Sequence, residues 1–147
     1  MEAFFEWFRV LYDTTGINLP FLYDSYDRNR MLNGFITTIQ LSVVCLFFSI
    51  VIGIIGAWLQ GSAFTWTRRF VNGYIQLFRN TPPLVQLYFF YFAIGSVLPT
   101  IENDWGGQSP MLGSFAWAVI SLSFFAGAFN VEIFRSGIEA VPKSTVE

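Results

Sequence analysis

An uncharged, apolar stretch from Gly34 to Leu59 limits most strongly what this chain can fold into. As an α-helix it would be about 39 Å long, which is enough for a tilted crossing of a hydrocarbon layer about 30 Å thick. We therefore predict a transmembrane helix over residues 34–59. Small side chains recur along one stripe of this helix and would let a second helix approach closely. They are Ser42, Ser49, Gly53 and Ala57.

The composition agrees with a membrane protein. Hydrophobic residues make up 54% of the 147-residue chain and charged residues only 12%, about half the charged share of a typical soluble domain. Histidine is absent and Cys45 is the single cysteine, which excludes an intrachain disulfide, a histidine-based triad and a histidine metal site. The net charge of -2 gives no support for nucleic-acid binding. We expect no metal, no cofactor and no catalytic residues.

Residues 1–33 are predicted to form an interfacial, periplasmic segment. In its first part, aromatic side chains alternate with Glu2, Glu6, Arg9 and Asp13, a pattern typical of a short amphipathic helix in the headgroup region. A flexible, aromatic-rich tail fits the same residues, so two interpretations stay open. The acidic residues near the start do not fit the basic region of a secretory signal.

The second apolar block, residues 70–98, is too long for one straight membrane helix, because it would reach about 43 Å. It also contains two consecutive prolines, Pro82 and Pro83. We predict a helix broken near residues 79–83. Thr81 is a favourable N-cap, and a proline directly after it is tolerated at the first helical position. The part before the break would be a lead-in helix.

A third block, residues 111–134, follows a loop rich in glycine, proline and acidic residues, and is long enough to cross the membrane. Basic residues in short loops mark the cytoplasmic side. Arg68 and Arg69 precede the second block, and Arg135 and Lys143 follow the third. We therefore predict a periplasmic N-terminus, although two arginines before the first span argue the other way.

The final residues, 142–147, are predicted to begin a further helix. Pro142 would end the preceding helix, and Ser144 with Glu147 has the spacing of a capping box. A single helical turn is not stable by itself. We therefore expect the helix to continue past this point and the sequence to be a truncated piece.

The polar residues at the predicted break have two interpretations. In the first, Arg79 extends to the headgroups and the prolines only set a kink. In the second, the break exposes N–H groups and a positive dipole end to a cavity that accepts the carboxylate of a substrate. The candidate substrate path then comprises Arg79, Asn80, Thr81, Gln86, Asn130 and Glu132.

Glu132 also has two interpretations. Glu132 and Arg135 are three residues apart, with Glu139 four further on. Glu132 and Arg135 would form an intrahelical ion pair at the membrane edge, contributing a few tenths of a kcal/mol. In the second interpretation, Glu132 is a functional carboxylate. A charge within the bilayer costs at least ~2.5 kcal/mol, so charged residues that occur there usually have a function.

Three strings in the order NGFITTIQLS, YIQLFRNTPPLVQLYFFYF and FNVEIFRSGIEAVPKSTVE resemble the permease subunits of ATP-binding-cassette importers for polar amino acids. The resemblance covers about residues 32–147. It implies an all-α, multi-pass transmembrane bundle with the type I importer permease fold, truncated after the third transmembrane helix. Residues 34–147 would be the N-terminal part of the permease domain. The ATPase-coupling loop would start at residues 142–147, with Ser144 and Glu147.

The resemblance also implies a transport subunit of the bacterial inner membrane rather than an enzyme. Its implied partners are an ATP-binding subunit that hydrolyses ATP, a second permease subunit, a periplasmic amino-acid-binding protein and the lipid bilayer. Two other classes stay open. A secondary transporter or channel would also use a broken helix and a buried glutamate, whereas a membrane-embedded enzyme would find few pairs of nucleophile and base here.

Overall fold

A computed structural model describes residues 2–17 and 19–141, and this part of the chain is mostly helical. It divides into two compact units, Met1–Gln40 and Leu41–Glu147. Ser144 and Glu147, predicted to begin the coupling loop, lie outside the described residues.

The first unit contains the helices α1 (Glu2–Thr15) and α2 (Pro20–Tyr23) and the beginning of α3 (Ser25–Gln60). Of the two interpretations of the N-terminal segment, the structure has the helix. Asp24 lies between α2 and α3, and its Oδ1 accepts the N–H of Tyr26 at 2.8 Å, as an N-cap residue does.

α3 starts earlier in the chain than the predicted span of residues 34–59. The preceding residues contain no glycine or proline from Ser25 onward, so nothing stops the helix from extending beyond its apolar part. Within the described chain, α3 and α6 (Ser114–Glu139) are the helices that are long and apolar enough to cross a membrane.

The second unit is built on the contact between α3 and α6. A Cβ atom on Gly53 would lie 2.5 Å from Asn130 Cβ, and one on Gly56 would overlap the side chain of Val131. Glycine at these positions therefore lets the two helices approach closely. Near the other end of the contact, Cys45 Sγ lies 3.9 Å from the Val119 carbonyl oxygen. The order of these pairs shows that α3 and α6 run in the same direction.

The predicted stripe of small residues forms most of this contact. Ser49, Gly53 and Ala57 are buried. Ser42 is exposed, and Cys45 is the buried small residue one turn before Ser49. The stripe therefore begins one turn later than predicted and ends at Ala57, as predicted.

The helix α4 (Thr65–Asn80) completes the core of the second unit. Its Val71 and Ile75 are buried against Ala57 of α3 and Val131 of α6. At the C-terminal end of α3, Gln60 Nε2 donates a hydrogen bond to Asn72 Oδ1 of α4 at 2.8 Å. α4 is followed by α5 (Pro83–Tyr88) and a π-helical segment (Phe89–Ile94).

The segment predicted to be an exposed loop before α6 contains a β-hairpin. Strand β1 (Thr100–Glu102) pairs antiparallel with β2 (Gln108–Pro110). In the turn, the N–H of Asn103 donates to the carbonyl of Gly107 at 2.8 Å, and Gly106 has a φ of 74°, a region that glycine adopts without steric cost. Three-residue strands carry too little alternation to be recognised from sequence.

Candidate functional site

Thr81 and Pro82 separate α4 from α5, which begins at a second proline, Pro83. The predicted arrangement, with Thr81 as N-cap and Pro82 as the first helical residue, is wrong. A residue that precedes a proline is disfavoured in the helical region, and both Thr81 and Pro82 precede one. Thr81 accordingly has a ψ of 131° and Pro82 a ψ of 137°. The helix therefore restarts at Pro83, and Thr81 is the C-terminal cap of α4.

Side chains from both sides of the break bond to carbonyl groups at the end of α4, where a helix leaves such groups unsatisfied. Gln86 is only 6% exposed. Its Nε2 donates to the carbonyl oxygens of Phe78 at 2.7 Å and Thr81 at 2.8 Å. Thr81 Oγ1 donates to the carbonyl of Leu77 at 2.7 Å. Gln86 and Thr81, both predicted path residues, thus hold the two helices in their broken arrangement.

Arg79, in the last turn of α4, forms an ion pair with Glu132 of α6 through Nη1 and Oε2. Its guanidinium carbon also lies 5.2 Å from the centre of the Phe129 ring, within the range of a cation–π interaction. The predicted pair of Glu132 with Arg135 is not formed. Arg135 Nε bonds instead to Glu139 Oε1 at 2.5 Å, since side chains four residues apart lie on neighbouring turns of one helix face.

The pair of Arg79 and Glu132 is only partly buried, with side-chain exposures of 40% and 45%. An ion pair this exposed adds little to stability. At membrane depth, however, an unpaired charge is costly and a pair is the usual arrangement. Arg79 and Glu132 therefore form a solvent-accessible ion pair without net charge beside the helix break.

Asn130 and Asn80 are not partners in this ion pair. Asn130 Nδ2 donates to Ser49 Oγ at 3.1 Å, and Ser49 is 1% exposed, so Asn130 joins α6 to α3. Asn80 is the exposed last residue of α4. The structure thus brings Arg79 to Glu132 and Thr81 to Gln86, but it places Asn130 against a different helix.

Aromatic rings from α4, α6 and the π-helical segment form a cluster near the break, which the sequence did not predict. Phe124 of α6 stacks on Phe78 of α4, with ring centres 5.7 Å apart, and on Phe90 of the π-helical segment at 6.2 Å. Tyr74 Oη donates to the carbonyl of Phe124 at 2.6 Å. No sequence signal distinguishes these rings, because the chain contains 18 phenylalanines.

Among the described residues, no three His, Cys, Asp or Glu side chains come together in a way that could hold a metal ion.

A fold with membrane-length helices and a paired charge beside a broken helix is typical of membrane transport proteins. The chain belongs to the family of binding-protein-dependent transport system inner membrane components, whose family model matches residues 49–147. The predicted permease family is therefore confirmed.

Several known proteins are similar to this chain. It is 28% identical over 117 residues to the histidine/lysine/arginine/ornithine transport system permease protein HisQ of Salmonella typhimurium, covering 80% of this chain and 51% of the relative. It is 32% identical over 117 residues to the putative glutamine transport system permease protein GlnP of Rickettsia felis, covering 80% of this chain and 49% of the relative. The chain thus spans about half the length of the curated relatives that it matches.

A solved structure supports the same fold. The crystal structure of an amino acid ABC transporter with histidines superposes with a TM-score of 0.67 at 25% identity, over 87% of this chain and 55% of that one. The predicted multi-pass helical permease fold is confirmed, and the hairpin of β1 and β2 departs from the all-α prediction.

Proposed function

We propose that this chain is part of the permease subunit of an ATP-driven importer for polar amino acids, and that it lines the translocation path. The observation that carries this proposal is the ion pair of Arg79 and Glu132, which joins the end of a broken helix to a membrane-length helix. Charged side chains at membrane depth commonly mark substrate pathways. The relatives are named as permease proteins of amino-acid transport systems, which supports polar amino acids as the substrate class.

Within this proposal the polar residues have different tasks. Arg79 and Glu132 face the path, and Asn80 lies beside them at the end of α4. Gln86 and Thr81 maintain the break that Pro82 and Pro83 impose. Asn130 contributes indirectly, because its hydrogen bond to Ser49 holds α6, which carries Glu132, against α3.

The proposed subunit works with separate partners in the bacterial inner membrane. An ATP-binding subunit hydrolyses ATP, a second permease subunit, identical or homologous, completes the path, and a periplasmic amino-acid-binding protein delivers the substrate. Residues 142–147, with Ser144 and Glu147, would begin the loop that couples to the ATPase. The N-terminus is periplasmic in this proposal, and labelling of a cysteine at Thr67 from either side of the membrane tests that orientation.

Uptake into vesicles tests the function directly. The protein that the gene encodes is reconstituted with its ATP-binding subunit and its binding protein, and uptake of labelled glutamine, histidine and arginine is measured with leucine as a control. We expect uptake of at least one polar amino acid that requires both ATP hydrolysis and the binding protein. Uptake driven by an ion gradient without ATP would identify a secondary transporter, and uptake needing neither would identify a channel.

A further inference from the structure

The helix α1 has a narrow charged stripe that the proposed transport function does not use. Successive residues of an α-helix are rotated by 100°. Sequence positions 2, 6, 9 and 13 therefore fall within about 60° of the helix circumference. They hold Glu, Glu, Arg and Asp, the complete set of charged residues in α1. The remaining circumference is mostly aromatic and aliphatic.

The apolar side of α1 is partly covered in the first unit, where Phe8 and Leu11 are half-buried, but much of it stays exposed. Phe4 and Trp7 are each 58% exposed, and Val10 is 53% exposed. The rings on this side are already ordered against each other, with Phe8 making edge contacts to Phe4 at 5.0 Å and to Trp7 at 4.8 Å. A wide aromatic surface opposite a narrow charged stripe is the pattern of a helix that lies in a membrane interface.

The lipid bilayer is the partner that best explains the exposed apolar side of α1. α1 ends at Thr15 and the membrane-length helix α3 begins at Ser25, so the connection between them is short. Within the same unit, α3 already presents exposed apolar side chains such as Phe35 and Ile36. Lipid is the expected cover for such side chains in a family of inner membrane components, and the exposed apolar side chains of α1 are of the same kind.

The charge of the stripe indicates how α1 would bind. With three acidic residues and one arginine, the stripe is not attracted to anionic headgroups, unlike the basic amphipathic helices that many peripheral proteins use. We propose that α1 lies in the plane of the bilayer interface. Glu6 and Asp13, on its charged side, face water. Its aromatic side enters the boundary of headgroups and acyl chains, and apolar burial alone holds it there.

Spin-label accessibility tests this placement in the protein as its gene encodes it, reconstituted into phosphatidylcholine vesicles. In a background without native cysteines, which includes Cys45→Ala, single labels are placed at positions 4 to 13, and the collision rates with oxygen and with a nickel chelate are compared. The ratio of oxygen to nickel accessibility should vary with the helical period and be several-fold higher at position 7 than at position 13. Labels at Leu46 in α3 and at Trp105 in the hairpin provide the lipid and water references.

Two results would overturn the proposal. High nickel accessibility at every position would mean that α1 lies in water. Low accessibility to both reagents on the aromatic side would mean that another protein surface covers it. A paired substitution checks the cause: with a label at Val10, Trp7→Ser should lower the ratio and Asp13→Ser should leave it unchanged. Equal effects of the two changes would contradict apolar anchoring.

Lipid charge separates this mechanism from electrostatic binding. Adding phosphatidylglycerol to the vesicles should not raise the ratio at position 7, because the stripe carries excess negative charge. A rise with phosphatidylglycerol that salt reverses would contradict the proposed mechanism. The measurement requires no transport, so its outcome is independent of the function proposed for the ion pair of Arg79 and Glu132.

Discussion

At the scale of single residues, Gln86 and the two prolines act on the same few peptide groups. Pro82 and Pro83 force the chain out of the helical conformation, and Gln86 then bonds to carbonyl groups around the resulting gap. The sequence predicts the break because prolines restrict their own and the preceding residue. It does not predict the role of Gln86, because a hydrogen bond across a break depends on how the two helices are placed.

Gln86→Leu should destabilise the protein by about 1–3 kcal/mol, because partly buried carbonyl groups lose their donor without access to water. Gln76→Leu is the matched control, since Gln76 is exposed on α4. Thermal unfolding of the purified protein in detergent measures both. Equal losses from the two substitutions would contradict a bracing role for Gln86.

The partner of Glu132 could not be predicted from the sequence either. The spacing of Glu132 and Arg135 allows an intrahelical pair, but the structure gives Glu132 to Arg79, which lies 53 positions away in the chain. Spacing along one helix identifies possible neighbours on that helix only. It carries no information on a competing partner from another helix.

At the scale of elements, glycine determines how closely α3, α4 and α6 pack. A Cβ atom on Gly127 would lie 2.6 Å from Ile52 Cγ2 on α3 and 3.1 Å from Tyr74 Oη on α4. The small-residue stripe on α3 could be recognised from sequence because its spacing follows the helical period. The short β1 and β2 strands and the π-helical segment could not, because neither has a distinctive pattern of its own.

Gly127→Ala should destabilise the protein by about 1–3 kcal/mol, because the added methyl group overpacks a close helix contact. Gly137→Ala is the control on the same helix, where an added Cβ meets nothing within 4 Å. It should be neutral or stabilising by about 0.5–1 kcal/mol, since alanine favours helix. Melting temperatures in detergent compare the two variants, and a neutral Gly127→Ala would show that the helices can separate freely.

At the scale of the whole molecule, the order of the sequence strings already indicates the permease family, and the match to residues 49–147 establishes it. The direction of the elements adds to this. α3 and α6 run parallel, which agrees with the prediction that one further span lies between them. The position of the ion pair relative to the proposed translocation path could not be predicted, because it depends on the proposed partner subunits as well as on this chain.

We propose that Arg79 serves transport rather than anchoring, and uptake per assembled complex distinguishes these two roles. In the reconstituted importer, Arg79→Ala should lower amino-acid uptake per assembled complex about tenfold or more, corresponding to about 1.4 kcal/mol of lost transition-state stabilisation. Arg69→Ala is the control, because Arg69 lies on the same helix and stacks over Trp66 at 5.9 Å. It should leave uptake per complex unchanged. If Arg79→Ala reduces only the amount of complex and not the uptake per complex, the arginine is a headgroup anchor and the claim is wrong.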